Sequence, residues 1–99
     1  MKVKVQSIHF DADGKLLSFV EEKVEKLKQF YEEIIDSEVF LRLDKNDEKE
    51  NKIAEIKIQT KGKTLFASEQ CKTFEEATDN AVEALRKQIT KHKEKLRGL

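Results

Sequence analysis

The apolar residues of this chain first alternate, then recur every three or four positions, alternate again over three stretches, and end at the helical spacing once more. Val3 and Val5 alternate with Lys2, Lys4 and Gln6, so residues 2–8 read as a half-buried strand. Leu17, Val20, Val24, Leu27, Tyr31 and Ile34 then fall on one stripe, which predicts a helix of about six turns opening at Asp13-Gly14, with Leu16, Phe30 and Ile35 widening its apolar face. The Asp13 carboxylate is placed to accept from the first free N–H groups. Val39, Leu41 and Leu43 mark a second strand, and Ala54, Ile56 and Ile58 a third. Leu65 and Ala67 mark a fourth, joined to the third by a turn at Lys61-Gly62. Thr73-Phe74-Glu75-Glu76 has the form of a capping box, and Phe74, Ala77, Ala81, Leu85, Ile89, His92 and Leu96 give the inner face of a last helix.

The order β-α-β-β-β-α belongs to the α+β class. Each strand has one apolar face and each helix one apolar stripe. The packing that buries all of them is a four-stranded mixed sheet with two helices on one face. The first two strands, joined through a helix, should be parallel if they are neighbours. Residues 1–99 are too few for more than one such core, so a single domain is expected. Charged residues make up 40% of the chain, but the regular recurrence of the apolar ones argues for a folded domain over a disordered segment. No apolar run approaches the roughly 20 residues of a membrane helix. The amino terminus alternates like a strand and lacks a signal peptide's apolar region. With a single cysteine as well, a cytoplasmic protein is expected.

Little in the sequence points to catalysis. His9, Cys71 and His92 show no zinc-type spacing, and none of the four serines sits in a nucleophile elbow. Three glycines form neither a P-loop nor a dinucleotide fingerprint. No enzyme, metal, cofactor or small-molecule substrate is expected. His92 and Cys71 read as packing residues.

Net charge is zero, yet residues 86–99 carry +5 and the preceding 85 residues carry −5. Lys87, Lys91 and Lys95 recur every four positions as one ridge of the last helix, with Arg86, Lys93 and Arg97 flanking it. Two readings meet here. Basic residues at a helix end, with Glu75, Glu76, Asp79 and Glu83 at its start, complement the helix dipole. Dipole compensation, however, needs only the last turn or so, and like charges at i,i+4 repel. A ridge of about three turns fits a phosphate-binding surface better. Lys23, Lys26 and Lys28 on the first helix share their face with Glu21, Glu22 and Glu25, a weaker form of the same signal. The outer sheet face should carry Lys2, Lys4, Arg42 and Lys57 with Phe40 and Phe66, aromatics of the kind that can stack an RNA base.

Four segments resemble the ribosome hibernation promoting factor and ribosome-associated inhibitor family, also known as the sigma-54 modulation family. They are Phe19-Val20-Glu21-Glu22-Lys23-Val24-Glu25-Lys26-Leu27, then Leu65-Phe66-Ala67-Ser68 with Ala77-Thr78-Asp79, and above all the stretch from Ala84-Leu85-Arg86-Lys87 to Leu96. The resemblance runs collinearly over the whole chain. It implies the same fold and a bacterial factor of the stress response. Such a factor binds the small ribosomal subunit and its rRNA in the mRNA/tRNA channel and silences translation. It further implies rRNA contacts at Lys87 and Lys91, continued by Lys95, and at Lys23 and Lys26. Ala84 departs from the family, whose members often carry a basic residue there, and the loop Asp44–Lys52 is longer than in familiar members. The end at Leu99, without the C-terminal dimerisation domain of long-form members, points to the short type; the free domain is expected to be monomeric, and no membrane partner is expected. The alternative is a module that docks its charged helices on a protein partner in transcription or stress response.

Overall fold

Alternation and helical spacing translate into β1 (Lys2–Ser7), α1 (Gly14–Phe30), β2 (Ile34–Leu43), β3 (Lys52–Thr60), β4 (Thr64–Cys71) and α2 (Phe74–Leu96). The computed structural model describes residues 2–46 and 49–96, the last two by their backbone alone. The four strands form one sheet in the order β1-β2-β3-β4. β1 runs parallel to β2, as the intervening helix requires, and the other two pairings are antiparallel. The α+β class and element order are those expected.

Both helices bury their apolar stripes against the sheet. Val20, Val24 and Leu27 of α1 meet Val39 and Leu41 of β2, Ile56 and Ile58 of β3, and Ala81, Leu85 and Ile89 of α2 in one core of almost fully buried side chains. Each fully buried Leu, Ile or Val contributes roughly 1.5–3 kcal/mol of transfer free energy. Phe10, in the connection after β1, stacks on Phe74 at the start of α2 with ring centroids 5.0 Å apart. The contact anchors the first connection to the last helix. Beside it His9 takes φ 63°, the left-handed region that His tolerates better than most side chains.

The caps follow the sequence. Asp13 accepts from the Leu16 N–H at 2.8 Å, and Thr73 Oγ1 accepts from the Glu76 N–H at 3.0 Å. One boundary differs from expectation. α1 ends at Phe30, and Tyr31 is its extended C-cap, its N–H donating to the Leu27 carbonyl at 2.8 Å. Ile34, expected on the helix, is the buried first residue of β2, and Ile35 is 48% exposed instead of widening the stripe. A register irregularity between Ile34 and Asp36 is the cause. It places Ile34 and Ser37 on the core side three residues apart, a spacing that mimics a helix.

The face of the sheet away from the helices is polar and laced. Arg42 Nε lies 3.2 Å from Glu55 Oε1, so this cation is already paired. Gln70 Nε2 donates to Asp44 Oδ2 at 2.8 Å and to the Glu50 carbonyl at 2.7 Å, tying both ends of the β2–β3 loop across the sheet. The Asn46 N–H, and after it the Gln70 amide, hold the Asp44 carboxyl below its ordinary value. Phe66 stands 52% exposed on this face, while Phe40 is half-buried.

Candidate nucleic-acid interface

The two helices lie side by side and run in the same direction. Lys23 of α1 pairs with Asp79 of α2 at 3.2 Å, and seven residues further along α1, Phe30 meets Arg86 and Lys93. Their C-terminal ends therefore share one end of the molecule, and side chains from both build a surface there.

The expected basic residues divide into two groups. Lys93 is drawn into the seam between the helices. Its Nζ donates to the Phe30 carbonyl at 2.9 Å and sits 4.4 Å from the Phe30 ring centroid and 5.6 Å from that of Tyr31. It satisfies a carbonyl that the end of α1 leaves open. Arg86 also leans on Phe30, its guanidinium carbon 4.9 Å from the ring centroid, while the side chain stays exposed. Lys23, in its ion pair and 5.5 Å from the Phe19 ring centroid, links α1 to α2. By contrast Lys87, Lys91 and Lys26 are exposed, and none of them makes an ion pair, hydrogen bond or ring contact among the described residues. Arg97 and the side chain of Lys95 lie outside the described residues.

Phe30, Glu83, Arg86, Lys87, Lys91 and Glu94 line a groove of about 550 Å³ along the outer side of α2. At 100° per residue, Arg86 and Lys91 stand about 140° apart around the helix and flank the groove on its two sides. On one side is a guanidinium beside an aromatic ring, on the other a pair of unengaged ammonium groups. From the sequence, Phe30 reads only as a packing residue. The signal for its second role is that Phe19, Lys23 and Phe30 lie on the flank of α1 beside its apolar stripe, a second strip that suits a neighbouring helix. Lys28, read as part of the mixed-charge face, ties the end of α1 to the start of β2 by donating to the carbonyls of Glu32 and, at 2.7 Å, Ile34.

The other candidate groups stay structural. His92 packs edge-on against Tyr31, ring centroids 6.1 Å apart. Burial pushes the Tyr31 phenol above its usual value, and the Glu33 carboxylate that accepts from it acts in the same direction. Burial likewise raises the Cys71 thiol, with a hydrogen bond from the Asn80 amide at 3.2 Å pulling the other way. Among the described residues no three His, Cys, Asp or Glu side chains group as a metal site, and no helix is long and apolar enough to cross a membrane.

A mixed four-stranded sheet with two parallel helices on one face, carrying a basic surface at their common end, defines a class of small α+β domain. Residues 3–97 match the sigma 54 modulation protein / S30EA ribosomal protein family, and the chain belongs to it. The ribosome hibernation promoting factors of Klebsiella oxytoca and Salmonella typhimurium are each 28% identical to it over 97 residues, covering 98% of both chains. Among solved structures, a ribosomal subunit interface protein from Coxiella burnetii superposes with a TM-score of 0.83 at 19% identity, over 94% of this chain and 98% of its own. The N-terminal domain of Thermus thermophilus Protein Y superposes with 0.74 at 22% identity, over 92% and 94%. These two establish kinship of fold.

Proposed function

We propose that this protein is a ribosome hibernation factor that docks on the small ribosomal subunit, occupies the mRNA/tRNA channel and silences translation. Family membership and two relatives named for ribosome hibernation support the reading. The observation that carries it is the exposed, unengaged Lys87–Lys91 ridge, which survives in a chain of zero net charge. Such ammonium groups bind phosphate as point charges. Lys87 and Lys91 make the phosphate contacts, extended by Lys95 of α2, by Arg97 and by Lys26 on α1. Arg86 lies beside them, while Lys23 and Lys93 add to the positive field from the helix seam and hold the surface together. The protein acts by occupancy, with no chemical step assigned to any residue.

Sedimentation with isolated small ribosomal subunits over a salt series tests this. With about five phosphates contacted, raising salt from about 50 to 200 mM should weaken binding about 100- to 1,000-fold. The triple variant Lys87/Lys91/Lys95→Glu should fold and fail to co-migrate. A folded wild-type protein that stays behind at low salt would sink the proposal and turn the search to a protein partner.

A further inference from the structure

The groove on α2 is built for more than phosphate. A surface that only met a sugar–phosphate backbone would gain from cations alone, yet Glu83 and Glu94 line the same groove as Lys87 and Lys91. Carboxylates there repel phosphate, whereas they accept hydrogen bonds from the amino and imino groups on base edges. On the side away from Lys91 lies an exposed guanidinium whose carbon is 4.9 Å from the Phe30 ring centroid, and Lys93 fixes Phe30 through its carbonyl and a Nζ 4.4 Å from the same centroid. Guanidinium planes and aromatic rings are the surfaces on which unpaired bases stack. We infer that this groove takes one unpaired nucleotide, its base stacked on the Arg86–Phe30 pair, its edge facing Glu83 or Glu94, and its phosphates on Lys87 and Lys91. Resting on the ribosome reading, it narrows the partner to a single-stranded or bulged segment of rRNA, since a base within a duplex has no free face to offer.

Arg86 then acts through its plane as well as its charge, which separates it from the lysines. The experiment measures affinity for isolated small ribosomal subunits at several salt concentrations for the wild type, Arg86→Lys, Phe30→Leu and Lys91→Gln. Arg86→Lys keeps the charge and changes an exposed side chain, so its folding is not in question. Phe30→Leu is checked by thermal melting. Arg86→Lys should weaken binding about 10-fold, the order of magnitude of one lost stacking contact, with the salt slope unchanged. Phe30→Leu, if folded, should match it. Lys91→Gln should lower the slope by about one unit. Wild-type affinity in Arg86→Lys, beside a wild-type protein that binds, would overturn the stacked nucleotide and leave the ribosome reading standing. A wild-type protein that does not bind would overturn both.

Discussion

Thr78 shows what a single side chain can hide in this fold. It is fully buried on α2, and its hydroxyl has no hydrogen-bond partner among the described residues. A buried hydroxyl without a partner keeps its desolvation cost, while its β-branched shape still fills the core. Thr78→Val should therefore raise the free energy of unfolding by about 1 kcal/mol in urea denaturation. A variant less stable than the wild type would show that the hydroxyl is satisfied in solution. Legibility at this scale was uneven for a physical reason. Asp13 and Thr73 were readable as caps because a helix start needs a local acceptor, and local chemistry is written in neighbouring residues. The Lys23–Asp79 and Lys93–Phe30 contacts were not readable, because they join residues far apart in sequence and depend on which flanks of two helices meet.

At the scale of elements, the stripe of α1 and the alternation of each strand gave the order and the layers. The end of α1 escaped, since the irregularity at the start of β2 leaves apolar side chains at Leu27, Tyr31 and Ile34 in helical register across a helix–strand boundary. The basic part of α2 was legible as a ridge but not as two populations, one engaged in packing and one free. That division makes a prediction about the helix pair. Lys93→Gln should cost about 1 kcal/mol of stability, through loss of a charged hydrogen bond and its contact with Phe30. Lys91→Gln should change stability by no more than about 0.5 kcal/mol. Denaturant titration of the two variants decides it. Equal effects would mean that Lys93 is as loose as Lys91 in solution.

For the whole molecule, where the charges lie matters more than their sum. Lys87→Gln with Lys91→Gln, and Lys15→Gln with Lys61→Gln, remove the same number of cations from exposed positions of a chain of zero net charge. If position governs polyanion binding, the first pair should elute from immobilised heparin at clearly lower salt than the second. Coincident elution would make net charge the controlling quantity. The parallel run of the two helices has a further consequence. Antiparallel neighbours cancel their dipoles, whereas these add and leave partial negative charge at the shared C-terminal end, which the acidic start and basic end of α2, running in the opposite sense, outweigh with whole charges. A chain with no overall charge thus behaves near a polyanion like a compass needle. It is turned rather than pulled, and it arrives basic end first while feeling little attraction towards the many nucleic acids that offer no groove to fit.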